Sequence, residues 1–168
     1  MEDLPLWLRL AIILLLVAGN AFFVGSEIAI SSARRSRIRQ LAEEGNSRAK
    51  TVKLLHEEPE RFYSVTQIGI TLVSLGLGAV GMETLHTVVD PWVVAIFTAL
   101  GDHDALHAAA HTVSYVIGFT VVSFIHIVGG ELAPKVLAFH RAEPLSLRVG
   151  RLINVMYLTF RPLIAVMK

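Results

Sequence analysis

The sequence contains no cysteine and few charged residues. The missing cysteines exclude a disulfide-stapled secreted domain, and they also exclude zinc-thiolate, iron–sulfur and cysteine-nucleophile chemistry. Charged residues make up 17% of the 168 residues, whereas hydrophobic residues make up 54%. A soluble domain typically has about 25% charged residues. The mean hydropathy of +0.59 therefore indicates a membrane protein and excludes a disordered chain.

Three long segments lack Asp, Glu, Lys and Arg, and they comprise residues 10–26, 62–82 and 105–130. Because a bilayer core requires about 20 consecutive apolar residues, these segments and their neighbouring turns predict three transmembrane helices. We place the helices over 4–33, 62–88 and 105–130. A secretory signal peptide is the alternative for the first segment, but its acidic start and the absence of an A-x-A cleavage site disfavour that interpretation.

The remaining segments predict shorter elements of an all-α membrane protein. Residues 34–61 mix apolar and charged positions around a Gly-Asn break and predict a cytoplasmic helical hairpin, with a solvated loop as the alternative. Residues 91–100 are apolar but too few to span a bilayer, so they predict a short re-entrant or interfacial segment. Arginines interrupt the apolar tail 142–168, which predicts a juxtamembrane amphipathic helix and leaves a fourth span open.

The basic residues predict the orientation in the membrane. Eight of the fifteen lie between Arg34 and Arg61, six follow Gly130, and none lies between Phe62 and Gly130. By the positive-inside rule, the 34–61 hairpin and the C-terminus are cytoplasmic and the N-terminus is outside. We therefore expect a multi-pass protein of the plasma membrane. The basic hairpin is expected to contact lipid headgroups rather than nucleic acid.

Each predicted span contains a stripe of polar residues. The first stripe comprises Asn20, Glu27 and Ser31, flanked by Ser26; the second comprises Ser64, Gln67, Thr71 and Ser74; the third comprises Ser123, His126 and Gly130. Stripes that face one another can bind a ligand, although hydroxyls and glycines also serve as contacts between packed helices. A buried carboxylate is different because it needs a cation, a proton or a partner.

Glu131 directly follows Gly129 and Gly130. We expect the two glycines to end the third helix and to expose their carbonyl groups, with Pro134 preventing the helix from resuming at once. Together with nearby hydroxyls, these groups form an all-oxygen, anionic ligand set that suits Mg²⁺, Ca²⁺ or Na⁺. The structural alternative is an ion pair between Glu131 and Lys135, four residues further on.

Three histidines, His103, His107 and His111, follow one another at intervals of four residues. On a helix they share one face at the outer membrane boundary, which indicates either a transition-metal site or a polar helix start. The sequence contains no P-loop and no G-x-G-x-x-G, H-E-x-x-H or G-x-S-x-G motif, so we expect no enzymatic activity.

Three stretches together resemble the transmembrane domain of the CorC/CNNM family of Mg²⁺ transporters. They begin at Asn20 (N-A-F-F-V-G-S-E-I-A-I-S-S-A-R-R-S-R), at Glu60 (E-R-F-Y-S-V-T-Q-I-G-I-T) and at Gly130 (G-E-L-A-P-K-V-L-A). The resemblance implies a homodimer in the lipid bilayer, with three membrane helices in each protomer and a cation site that faces the cytoplasm. It also implies export of Mg²⁺, coupled to Na⁺.

The resemblance further implies which groups hold the ion. The glutamate of the G-E-L-x-P-K motif corresponds to Glu131, and serine or threonine hydroxyls and backbone carbonyls complete the site. In chain order, the implied ligands are Ser26 or Ser31, Thr71, Ser74, Gly129, Gly130 and Glu131. The polar stripes add Asn20, Glu27, Ser64 and Gln67 as secondary candidates.

Proteins that look like this one usually continue into cytoplasmic CBS domains that bind adenine nucleotide. The resemblance therefore predicts that residues 1–168 are the membrane part of a longer, CBS-regulated protein, and we expect no nucleotide binding within them. Two other hypotheses stay open. One is a non-transporting membrane anchor and dimerisation module, and the other is a transition-metal carrier built on the three histidines.

Overall fold

The computed structural model describes residues 4–101 and 104–166, and this described part is helical and contains no strand. It comprises, in chain order, α1 (Leu6–Ser32), α2 (Arg35–Glu43), α3 (Ser47–Glu57), α4 (Glu60–Leu100), α5 (Asp104–Ile125), a π-helical segment (His126–Leu132), α6 (Ala133–His140) and α7 (Ala142–Val166).

Three helical stretches within the described residues are long and apolar enough to cross a membrane: Leu6–Ser32, Glu60–Ala99 and Leu106–His140. Their surfaces expose large apolar side chains, including Leu15 and Phe124, as expected of faces that contact lipid. For the described residues, the prediction of an all-helical protein with three helices long and apolar enough to span a membrane is therefore confirmed. The tail helix α7 is not among these three stretches of the described residues, and whether it lies on the membrane or spans it stays a prediction.

The second membrane helix is longer than the sequence predicted. The sequence analysis treated residues 91–100 as a separate short segment, whereas α4 continues through Pro91 to Leu100 without interruption. The re-entrant or interfacial character of these residues stays a prediction. Proline inside a membrane helix is tolerated when neighbouring groups satisfy the freed backbone. The charge of Asp90 did not end the helix either, and its carboxylate lies 2.8 Å from the Nδ1 atom of His111 on α5.

The third membrane helix also continues past its predicted end. Gly129 and Gly130 do not terminate it; they lie in the π-helical segment, which joins α5 to α6. The backbone N–H of Ala133 donates to the Val128 carbonyl, five residues earlier, as in a π-turn. Pro134 occupies the first turn of α6, where a missing N–H costs nothing, so the helix resumes directly.

Residues 34–61 form two packed helices rather than a solvated loop. Gly45 joins α2 to α3 with a φ of 94°, in the left-handed region, and the Asn46 side chain accepts from the first backbone N–H groups of α3. The tail helix α7 packs against α1, α3 and α4 around two clusters of buried apolar residues. The first cluster comprises Ile30, Leu55, Phe62, Val65 and Ile153. The second comprises Ala33, Ile38, Val52 and Ala142. The side of the membrane on which these helices lie stays a prediction.

Glycines set the spacing of the membrane helices. A Cβ atom at Gly69 of α4 would lie 2.6 Å from ring atoms of Phe23 on α1, so a larger residue would require the Phe23 ring or one of the helices to move. Gly81 of α4 lies against Val122 of α5 in a similar way. These contacts place α4 between α1 and α5, with the polar residues of the three helices at matching levels.

Candidate functional site

Asn20 joins the three membrane helices through hydrogen bonds. It is fully buried, and its Nδ2 atom donates to the carbonyl of Gly130 at 3.2 Å. The hydroxyl of Ser74 on α4 donates to Asn20 Oδ1 at 3.4 Å and lies 3.2 Å from His126 Nε2. The structure therefore brings together one polar residue from each predicted stripe.

Ser26 presents a buried oxygen that has no partner. The side chain is 1% exposed, and its hydroxyl forms no hydrogen bond within the described residues. The preceding residue, Gly25, lies against Pro134: a Cβ atom there would be 3.8 Å from Pro134 Cβ. Ser26 therefore lies where α1 crosses the start of α6. Buried hydroxyls in native proteins are normally satisfied, so this one indicates a missing ligand or water.

Glu131 is half-buried on the π-helical segment, next to Gly130. Within the described part of the chain it forms neither a hydrogen bond nor an ion pair, so the alternative pair with Lys135 is not present there. An unpaired, partly buried carboxylate is costly unless a cation or proton accompanies it.

Glu27, in contrast, already has a protein partner. Its Oε2 atom accepts from the Thr66 hydroxyl at 2.7 Å, and Thr66 is fully buried. The sequence analysis did not single out Thr66, because the polar stripe was drawn from Ser64. The spacing of residues along α4 could have identified Thr66, because Phe62, Val65 and Gly69 lie on the buried face of the helix that also includes Thr66.

The other predicted site residues are not part of the Asn20 network. Ser31 is exposed and donates to the Ile28 carbonyl of its own helix at 3.2 Å. Thr71 is exposed and donates to the Gln67 carbonyl at 2.8 Å. The remaining members of the predicted set are Gln67 and Gly129, which are exposed, and Ser64, which is half-buried.

A cavity of about 380 Å³ adjoins the network between α4 and α5. It reaches Ser74 and His126 at one end, and Met82 and Phe119 also line it. Ser123 of the predicted third stripe contributes a hydroxyl to the same wall. The network thus has space beside it, in a region where the three helices hold polar groups.

These groups fit a hard cation chemically. Within the described part of the chain, Ser26 offers a hydroxyl oxygen without a partner, Glu131 offers a carboxylate without a partner, and the adjacent glycines offer their carbonyl groups. Oxygen donors with a net negative charge are the ligands that Mg²⁺ and Ca²⁺ prefer, and they bind soft metals poorly.

The predicted triad of His103, His107 and His111 stays a prediction, because part of it lies outside the described residues. His111 lies beside His86 and Asp90, on the neighbouring helix α4. His103 lies outside the described residues, and His107 has an interaction of its own.

Residues 10–168 match the sequence model of a family described as CNNM, the cyclin M transmembrane N-terminal domain. The chain belongs to this family. The UPF0053 protein YhdT of Bacillus subtilis is 39% identical over 164 residues, which cover 98% of this chain and 33% of YhdT. YhdP of the same organism is 38% identical over 83% of this chain and 30% of its own length.

A protein named polyamine export protein, from Haemophilus influenzae, is 27% identical over 90% of this CNNM chain and 33% of its own length. The chain thus spans about a third of the length of these curated relatives. The resemblance to the CorC/CNNM family seen in the sequence is confirmed.

Proposed function

We propose that this CNNM domain binds Mg²⁺ and moves it across the membrane. The proposal depends mainly on one observation: where α1 crosses α6, the buried Ser26 hydroxyl has no partner among the described residues. Glu131 on the adjoining π-helical segment supplies the negative charge, and the carbonyls of Gly129 and Gly130 supply further oxygens. Ser26 serves better than Ser31, whose hydroxyl is exposed and already bonded.

Asn20 has a positioning role in this proposal. By donating to the Gly130 carbonyl, it fixes the backbone next to Glu131. Mg²⁺ requires nearly ideal octahedral geometry and loses its water reluctantly, so a site with loosely held oxygens would bind it poorly. π-turns within helices are frequent at functional sites, and here the π-turn presents Glu131 one residue after the fixed carbonyl.

Transport requires the site to face each side of the membrane in turn. The cavity between α4 and α5 approaches the network at Ser74 and His126, so movement of α5 against α4 would change access to it. We propose export toward the outside with Na⁺ as the coupled ion, in a plasma-membrane protein whose C-terminus is cytoplasmic. Two protomers form the transporter, and CBS domains of the longer protein regulate it from the cytoplasm.

A polyamine is the second candidate substrate, because one relative is named a polyamine export protein. Both substrates are cations and both require Glu131. They differ in their other ligands: Mg²⁺ needs hydroxyl and carbonyl oxygens in a compact shell, whereas an ammonium group donates hydrogen bonds and tolerates looser geometry. The buried hydroxyl of Ser26, which has no partner among the described residues, supports Mg²⁺ as the first candidate.

The test is Mg²⁺ flux into vesicles reconstituted with the purified protein, followed with an entrapped indicator dye. Glu131→Gln removes the charge and keeps the size of the side chain, so we expect it to abolish flux. Glu57→Gln, on the exposed surface of α3, is the matched control and should transport normally.

Equal flux through native and Glu131→Gln vesicles would refute the proposal. A native protein that moves spermidine but not Mg²⁺ would replace it with the polyamine function. A folded native protein that moves neither cation would favour the anchor and dimerisation hypothesis.

A further inference from the structure

We propose that His86, Asp90 and His111 form a second metal site, which binds a divalent transition metal ion such as Zn²⁺. The site is distinct from the proposed Mg²⁺ site and does not depend on it. It joins α4, which supplies His86 and Asp90, to α5, which supplies His111.

The three side chains already converge. Asp90 Oδ1 lies 2.8 Å from His111 Nδ1 and 3.5 Å from His86 Nε2. One ligand atom from each residue falls within 4.8 Å of the other two. In a tetrahedral zinc site with metal–ligand distances near 2.1 Å, neighbouring ligand atoms are about 3.4 Å apart. Small side-chain rotations are therefore enough to admit the ion.

The Nε2 atom of His86 is the observation that points to a ligand. It is buried and has no hydrogen-bond partner among the described residues, although it is only 3.5 Å from the Asp90 carboxylate. A buried polar atom without a partner is costly, and a metal ion would satisfy it. Two histidines and one carboxylate form a zinc ligand set that is well established in proteins. Imidazole nitrogens favour Zn²⁺, Cu²⁺ and Ni²⁺ over Mg²⁺, so this site and the oxygen site select different ions.

The surroundings give the ion access and a further ligand position. A cavity of about 620 Å³ adjoins the site and is lined by His86, Tyr115, Glu83 and Arg9. It provides room for the water that completes a three-ligand zinc site. Arg9 and Glu83 lie 3.9 Å apart, so the charges beside the cavity largely compensate each other.

The length of α4 places the site outside the hydrocarbon core. Asp90 lies thirty residues after Glu60, which is about 45 Å along a helix. The hydrocarbon core is about 30 Å thick. If the hairpin end of α4 lies at one membrane surface, the three ligands are at or beyond the opposite surface. An ion arriving from that side would bind without crossing the bilayer and would fix α4 to α5 there.

The experiment is titration calorimetry of Zn²⁺ into the purified protein in detergent, with Mg²⁺ kept in excess to occupy any oxygen site. We expect one Zn²⁺ per protomer, accompanied by a higher thermal unfolding midpoint. His86→Ala and His111→Ala should each weaken binding by more than about 100-fold, since loss of a ligand costs more than loss of an outer-shell partner.

Two further variants keep the test decisive. His140→Ala, an exposed histidine on α6, should bind Zn²⁺ as the native protein does. Glu131→Gln should also bind it normally, so failure of the Mg²⁺ proposal would leave this one standing. His111 is largely exposed, so His111→Ala tests the site even if His86→Ala does not fold. The proposal would be overturned if the native protein did not bind Zn²⁺, or if a folded His111→Ala protein bound Zn²⁺ as tightly as the native protein.

Discussion

Replacement of Asn20 by alanine should destabilise the protein and disturb the cation site together. The side chain is fully buried and bonds both Gly130 and Ser74, so its removal leaves the Gly130 carbonyl without that donor. An unsatisfied buried group costs about 1–3 kcal/mol. Hydrogen bonds between membrane helices average about 0.6 kcal/mol, with a maximum near 1.7 kcal/mol. The cavity left by the amide adds to either figure, so we expect a loss of about 1–3 kcal/mol in the free energy of unfolding.

In a protein of this size, each kcal/mol lowers the thermal midpoint by about 2–4 °C, so the expected decrease is about 2–12 °C. The assay is thermal unfolding in detergent, followed by circular dichroism with and without Mg²⁺. Thr71→Ala is the control, because its exposed hydroxyl bonds only its own helix. We expect that variant to stay within about 0.5 kcal/mol of the native protein. An Asn20→Ala protein as stable as Thr71→Ala, with undiminished stabilisation by Mg²⁺, would refute the reasoning.

Three further predictions concern helix packing and the hairpin. Gly69→Ala would place a methyl group 2.6 Å from the Phe23 ring, and we expect unfolding measurements to show a loss of about 1–3 kcal/mol, whereas Gly78→Ala, with open space around it, should be neutral or stabilising. Thr66→Val removes the hydroxyl bonded to Glu27 and should cost about 1.5–3 kcal/mol. The control Thr84→Val loses only a bond within its own helix and should cost less; equal losses would contradict the role given to Thr66. Gly45→Ala forces a positive φ on a residue with a Cβ atom and should lower the free energy of unfolding by about 1–2 kcal/mol.

The sequence was sufficient to predict the membrane helices, because long segments without charges have few alternatives to a membrane span. It placed the helix ends less well. Asp90 and Pro91 mark a helix end in most sequences, but His111 and His86 lie beside Asp90 in the structure and the helix continues. Gly129 and Gly130 also led to a wrong prediction of a helix end, because a π-turn accommodates both glycines and the helix continues.

The residues of the candidate site could be predicted from the sequence only in part. Spacing identified Asn20 and Ser74 correctly as polar residues that face each other, since α1 and α4 pack over most of their length. It did not identify the buried Thr66, nor the contact of His111 with Asp90 on another helix. Such contacts depend on the rotation of one helix against its neighbour, which the periodicity of a single helix does not determine.

The measurement that tests the central claim most directly is Mg²⁺ binding to three purified proteins, the native chain, Ser26→Ala and Ser31→Ala, by titration calorimetry. The two variants make the same chemical change on the same helix. Among the described residues, the buried hydroxyl of Ser26 has no partner, whereas the exposed hydroxyl of Ser31 donates to the Ile28 carbonyl. We predict that Ser26→Ala weakens Mg²⁺ binding by about tenfold or more, as expected for the loss of one charge-assisted contact, and that Ser31→Ala binds as the native chain does. Equal affinities in all three proteins, or a native chain that does not bind Mg²⁺, would contradict the account.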